Sequence, residues 1–295
     1  MTLHEAPSLR RAGIQRAAML APALLLTGLL LVLPVAFLLR TSIAGAAGPG
    51  NEPAPPLEAY RRILTDPYTL GIIGRTFLIS AIVTLVCLVI GLPVANLVWR
   101  ATRRWRPLIT LIVLSPLLVS VVVSAFGWVV LLGSKGVINQ ALVGFGVVRA
   151  PLPLLYTDFS LAAGLTHVLL PFMVLSLLAA LDKVDPLLVD AGLMLGATRL
   201  SLWRTVLFPL MLPGVGAGTI VVFALAVSSY VTPAVLGPNG PNFITTLIYE
   251  NFINLYDWGA GSALAVILLA ASALVILIYT AWLSRLVAPV AGDAA

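Results

Sequence analysis

In a chain as oily as this one, the polar residues are the ones to read first. The stretch Val189–Gly214, VDAGLMLGATRLSLWRTVLFPLMLPG, carries one acid, three glycines, two arginines and two prolines. Just upstream, Asp185-Pro186 opens a helix well, with an acidic N-cap and proline at the first helical position. Leu187, Leu188, Ala191, Met194 and Leu195 recur near helical spacing and give an apolar face. Gly192 and Gly196 are four apart and share a side of that helix. Each glycine costs about 1 kcal/mol relative to alanine in a helix interior. That cost makes sense where another surface must come close to the backbone. A helix lying flat on a membrane surface is the plainer alternative. The chemistry offered here is docking rather than bond making.

The surroundings of this stretch are set by composition. The chain has 295 residues, 60% hydrophobic and only 9% charged, against about 25% charged in soluble domains. Most of it must sit in lipid. Six runs free of Asp, Glu, Lys and Arg reach the roughly 20 residues that a spanning helix needs. They are Ala17–Leu39, Thr76–Trp99, Leu108–Leu132, Phe159–Leu181, Thr205–Val231 and Gly259–Ser284. The first run far exceeds the ~7–15 residues of a signal-peptide core, so it is expected to be a retained span despite Ala44-Gly45-Ala46. One set of flanks holds eleven of the basic residues and the other six. The positive-inside rule then puts both termini and the Asp182–Arg204 segment in the cytoplasm. The 232–258 loop, with Glu250 and Asp257 but no Lys or Arg, is expected outside. The net charge of +6 reflects these flanks and does not argue for nucleic acid. The lone Cys87 excludes an internal disulfide.

Prolines occur in nearly every span: Pro22, Pro34, Pro93, Pro116, Pro171, Pro209 and Pro213. Kinks are expected there, tolerated where neighbours satisfy the freed carbonyls. Gly214-Val215-Gly216-Ala217-Gly218 sets small residues four apart, suited to close helix packing. The segments 44–57 and 237–242 read as turns.

A few polar residues could touch a solute. His167 is the only histidine within a span, and ionisable groups there are functional candidates. A neutral imidazole bonded to a neighbouring carbonyl is the plainer reading. On the expected outer side, Asp158, Glu250 and Asp257 could attract a cation. Tyr230, Tyr249, Tyr256 and Trp258 could offer cation–π faces, although an interfacial aromatic belt would use the same residues. There is no Gly-x-x-x-x-Gly-Lys-Ser/Thr, so no P-loop, and no Gly-x-Ser-x-Gly or His-Glu-x-x-His. Neither an enzyme nor a metal site is expected.

The spacing of the opening stretch resembles the EAA loop of ABC-importer permeases. That pattern reads Glu-Ala-Ala, three residues, Gly, nine residues, Ile, one residue, Leu-Pro. Here it runs Asp190-Ala191-Gly192, then Gly196, Val206 and Phe208-Pro209. The departures are Asp for Glu, Gly for the second Ala, Val for Ile and Phe for Leu. Arg75-Thr76-Phe77, Gly91-Leu92-Pro93-Val94-Ala95, Tyr230–Gly237 and Tyr256-Asp257-Trp258-Gly259 look like the spermidine/putrescine-type subgroup. The resemblance covers about residues 70–285.

What it implies is an all-α membrane protein of six transmembrane helices with a cytoplasmic coupling helix between the fourth and fifth. Residues 1–16 would form a cytoplasmic N-terminus and 17–69 the first span with an external loop. The permease core would be 70–285, its EAA-type loop at 182–209, and 286–295 a cytoplasmic tail. The helix from Pro186 to about Thr198 would seat on an ATPase dimer that binds ATP and Mg. Asp190, Ala191, Gly192, Met194, Gly196 and Pro209 would carry the coupling, the glycines permitting close docking. A second permease and a periplasmic solute-binding protein would complete the importer in the bacterial inner membrane. The cargo would be a polyamine or related amine, its path touching Tyr230, Glu250, Asp257 and His167. The nearest alternative is a secondary transporter, against which stand the lack of an evident repeat and of any Asp or Glu within a span.

Overall fold

The computed structural model describes residues 9–44, 55–238 and 242–292. Most of the expected turn at 44–57, and residues 239–241 of the one at 237–242, lie outside the described residues. The described chain is mostly helical, with no strand among those residues. In order come α1 (Leu9–Ala44), α2 (Glu58–Thr65), α3 (Pro67–Arg100), α4 (Arg106–Leu118) and α5 (Val121–Leu132). Then follow α6 (Val137–Gly144), α7 (Asp158–Leu181), α8 (Pro186–Met194), α9 (Arg199–Leu202) and α10 (Phe208–Val227). The last are α11 (Val231–Leu236), α12 (Ile244–Tyr249) and α13 (Trp258–Gly292). A π turn at Trp203–Leu207 leads into α10, and another at Glu250–Asn254 follows α12.

Six segments among the described residues are long and apolar enough to cross a membrane: Leu26–Ala44, Pro67–Arg100, Val121–Gly144, Asp158–Leu181, Leu200–Val227 and Trp258–Arg285. Five expected spans fall on these segments. The third does not. The run Leu108–Leu132, read as one helix, is broken at Val119-Ser120, where Val119 takes extended backbone and Ser120 also leaves the helical region. Pro116 removes a backbone donor; the carbonyl it frees, that of Ile112, accepts the Ser115 hydroxyl at 2.8 Å. Beyond it, Val119 and Ser120 are poor helix formers, and the helix stops. With 13 residues, α4 rises about 20 Å, short of the ~30 Å hydrocarbon core. The long apolar segment is instead α5, continued past the turn at Gly133–Gly136 into α6.

The centre of the bundle is α7, packed along α3 on one side and α10 on the other, with α3 and α10 also in contact. Val83, Cys87, Leu165, Met173, Leu177, Met211 and Val222 fill this junction. Lipid tails are as apolar as leucine, so close packing rather than the hydrophobic effect holds such helices together. The Gly214–Gly218 run supplies that closeness. A Cβ at 214 would lie 2.5 Å from Ala180 Cβ and 2.8 Å from Ser176 O, and one at 218 would lie 2.7 Å from Met173 Sδ. α1 packs on α13 at the periphery, presenting Leu29, Leu30 and Leu31 outward.

Caps fix where the helices begin. Asp66 accepts from the Tyr68 and Thr69 amides and Pro67 follows it, starting α3. Thr157 and Ser160 exchange side-chain and backbone bonds to start α7. Because α7 crosses the bundle and α10 returns, α8 and α9 lie at one end and α11 and α12 at the other. The 232–258 segment is more than a connecting loop. Ser160 Oγ donates to Leu236 O at 2.8 Å, and the Ile244 amide donates to Thr76 Oγ1 at 2.9 Å. Phe243 and Ile244 are fully buried, so this segment is sewn back into the helices it connects.

Candidate functional site

At the α8 end, Asp185 behaves as its sequence predicts. Its Oδ1 accepts from the Leu187 amide at 2.9 Å and Pro186 takes the first helical position. The helix does not run on to Thr198; it ends at Met194. Gly196 has φ of +83°, a left-handed conformation that glycine adopts at least cost. The Gly196 amide bonds Leu193 O at 3.0 Å and the Ala197 amide bonds Gly192 O at 3.1 Å. This is a Schellman motif. Gly196 therefore terminates the helix rather than baring its side. Gly192 also has an internal reason: a Cβ there would overlap Leu202 Cδ2 of α9. Both glycines have a use within the α8–α9 corner itself, beside the expected one of clearing space for a docked surface.

What α8 leaves open is apolar. Met194 is 91% exposed and Leu195 89%, with Leu187 and Leu188 exposed further back and Asp190 exposed between them. Ala191 is exposed as well. Pro209, second residue of α10, lacks the amide that a standard turn would use; the preceding π turn bonds the Phe208 amide to Trp203 O instead. At the root of α8, Arg106 of α4 grips both oxygens of Asp182 at 2.7 and 2.6 Å. Both partners are roughly 40% exposed, so the pair is worth about 0–1 kcal/mol. Its value is to tie the root of α8 to α4.

At the opposite end a cavity of about 430 Å³ is lined by Tyr156, Tyr230, Thr246, Tyr249, Glu250 and Asn254, among others. Tyr230 and Tyr249 rings lie 4.9 Å apart at 31°. Burial, and after it the neighbouring Tyr249, push the Tyr230 phenol above its ordinary pKa. Glu250 Oε2 accepts from Asn254 Nδ2 at 2.7 Å, which aims the carboxylate. Tyr156 has φ of +59°, a conformation that non-glycine residues hold only at some cost and that clusters at functional sites.

The structure thus brings two expected path residues, Tyr230 and Glu250, to one cavity and leaves two elsewhere. Asp257 Oδ1 accepts from the Ala260 amide at 2.9 Å, capping α13. His167 lies on α7 beside a different, largely apolar cavity of about 590 Å³. Trp128 stands edge-on to its ring at 5.9 Å. The expectation of an imidazole bonded to a neighbour is not met: Nδ1 has no hydrogen-bond partner among the described residues. Asp158, on the same list of candidate acids, is ion-paired with Arg75. Tyr156, Thr246 and Asn254 were not legible as site residues. Nothing in a sequence marks a tyrosine for positive φ, and the π turn that carries Glu250 to Asn254 has no simple sequence signature.

The family model for binding-protein-dependent transport system inner membrane components matches residues 87–289. The chain is 32% identical over 250 residues to the spermidine/putrescine transport system permease protein PotB of Haemophilus influenzae, covering 85% of each. It is 30% identical to the PotB protein of Escherichia coli strain K12, over 76% of this chain and 81% of that one. A bacterial ABC transporter involved in the import of the acidic polysaccharide alginate contains a chain of the same fold. Its TM-score is 0.78 at 18% identity, covering 93% of this chain and 98% of that one.

Proposed function

Because the chain belongs to the binding-protein-dependent transport system inner membrane component family, and is a multi-pass permease subunit of an ABC importer, we propose how its two ends divide the work. Family membership displaces the secondary-transporter alternative. α8 is the coupling helix. Its exposed Met194 and Leu195 enter an apolar groove on an ATPase subunit, which binds ATP and Mg. Asp190 meets a basic group at the rim. Ala191 faces the same partner, and Pro209 fixes the turn through which α10 feels the motion. Both termini and α8 lie on the cytoplasmic side, as the arginine bias supports. The Tyr230 and Glu250 cavity opens to the periplasm, where a solute-binding protein delivers cargo and a second permease completes the path. The cargo is a polyamine or related amine, in keeping with the PotB relatives and with an acid and tyrosines at the mouth.

The observation that carries this reading is the apolar tip of α8. A helix of nine residues, too short to cross a bilayer, presents two nearly fully exposed large apolar side chains at one end of a membrane bundle. Contiguous exposed apolar surface of this kind marks a binding site. Replacing the tip with M194D/L195D removes the anchor, and central apolar anchors cost about 2 kcal/mol or more when lost. The ATPase should no longer co-purify with the permease. Membrane insertion and the thermal midpoint of the isolated subunit should stay at parental values, because neither residue packs in the core. Co-purification at parental yield would overturn the proposal.

A further inference from the structure

Among the described residues, the acids at the α11–α12 end of the bundle are nearly all committed. Asp66 caps α3 and Asp257 caps α13. Asp158 is paired with Arg75, and Glu58 holds Arg61 and Arg62. Glu250 is different. Its one side-chain bond among those described is to the neutral amide of Asn254, so its negative charge is oriented but not compensated. It lines the cavity beside Tyr230, Tyr249 and Tyr156, and no Lys or Arg is among the lining residues. Tyrosine faces attract cations through the ring quadrupole, and an uncompensated carboxylate in a recess focuses the same field. Two departures from ordinary backbone geometry build the recess: the π turn at Glu250–Asn254 and the left-handed Tyr156.

We infer that this cavity is a one-charge site: it holds a single ammonium group of the cargo between the tyrosine rings and Glu250, and does not count the further charges of a polyamine. The inference rests on the reading of this chain as an amine permease and deepens it. One carboxylate balances one ammonium. A second or third charge on the same molecule finds no acid in the lining and must be met outside this cavity. Discrimination between mono-, di- and triamines is therefore not made here.

The test reads the field inside the cavity directly and needs no ATPase. Ala234 lines the cavity and is exposed, while the chain's own Cys87 is fully buried, so the parent chain serves as the blank. The A234C subunit is treated with cationic 2-aminoethyl methanethiosulfonate and anionic 2-sulfonatoethyl methanethiosulfonate, each rate scaled to its rate with free 2-mercaptoethanol. The cationic reagent should react about tenfold faster, the scale expected of a focused unit charge. A234C/E250Q should bring the ratio close to one, and A234C/E250D should keep it. Butylamine and 1,4-diaminobutane should protect with half-effect concentrations within about threefold of each other, because both present the same single contact. Equal rates for the two reagents in A234C, a ratio unchanged by E250Q, or protection by the diamine more than about thirtyfold better than by butylamine would each overturn the inference. These outcomes concern the isolated subunit, so they stand apart from the ATPase co-purification that tests the coupling helix.

Discussion

The two ends of this bundle are built on opposite plans. The α8 end is held by few internal bonds: a cap at Asp185, a Schellman closure at Gly196 and the Arg106–Asp182 pair. It thrusts apolar side chains outward. The α11–α12 end is stitched inward through Ser160, Thr76 and Thr245, the last donating to Ser229 O at 2.6 Å. It turns its polar groups toward a cavity. A surface that must seat against another protein needs exposed apolar area, which internal packing would consume. A recess that must meet a charged solute needs fixed dipoles, and fixing them requires bonds back to the scaffold. The apolar tip and the aromatic recess are both what their neighbours leave free.

That contrast can be broken from the centre or from either end. The largest effect on the fold is expected from Gly214→Leu. Its side chain would be driven into Ala180 and the backbone of Ser176, and overpacking of this kind costs about 1–3 kcal/mol. Because α7 and α10 connect the two ends, thermal unfolding in detergent should fall by several degrees, and both ATPase association and cavity charge selectivity should suffer. A variant that harmed only one end would show that the ends do not depend on the shared core. Ser160→Ala is the narrower probe. It removes a buried hydroxyl that donates to Leu236 O and accepts from the Thr157 amide in the α7 cap, at about 1 kcal/mol. It should loosen α11 and dull the charge selectivity measured at position 234 while leaving ATPase co-purification unchanged.

The smallest effect should come from Asp66→Asn, at the start of α3. The Thr69 hydroxyl, with the Thr69 and Tyr68 amides, holds this carboxyl below its ordinary pKa of 3.8. A lowered pKa means that the folded protein binds the proton less readily than the unfolded chain. The contribution is whole above the ordinary value and fades as the pH falls through the lowered one. The parent should lose thermal stability across that acidic window. The Asn variant, which lacks the titrating carboxyl, should lose less there, melting somewhat below the parent at neutral pH and approaching it at the acid end, as parallel melts between pH 2 and 7 would reveal.

Much of the α8 end was legible in the linear sequence. A cap, a proline, an apolar periodicity and a spaced run from Asp190 to Pro209 are all local signals, and the helix starts where they put it, though it ends about a turn early. The purpose of the glycines was not legible. Spacing alone could not show that Gly196 takes a positive φ or that Leu202 comes back to cover Gly192, since both follow from the path of the chain after the helix. The broken third span was hidden for a related reason. An apolar run reports that residues are comfortable in lipid and says little about whether backbone hydrogen bonds continue through Pro116, Val119 and Ser120.

The cavity shows the limit more sharply. Tyr230, Tyr249, Glu250 and Asp257 looked alike as outer-side candidates, yet the first three line one recess and Asp257 caps a helix. Tyr156, about 75 residues upstream of Tyr230, joins them only because α7 and α11 pack together.

The sequence by itself determined that the chain lives in a membrane, how many times its apolar segments can cross, and where the short helix α8 begins. Those properties depend on composition and on contacts within a turn or two of the chain. Which helices share the core, which acids are neutralised by a partner and which one lines a cavity with no cation beside it were decided only by the tertiary structure. Charge compensation and cavity walls are made by groups distant in sequence, and their meeting depends on how α7, α10 and the helices after them pack.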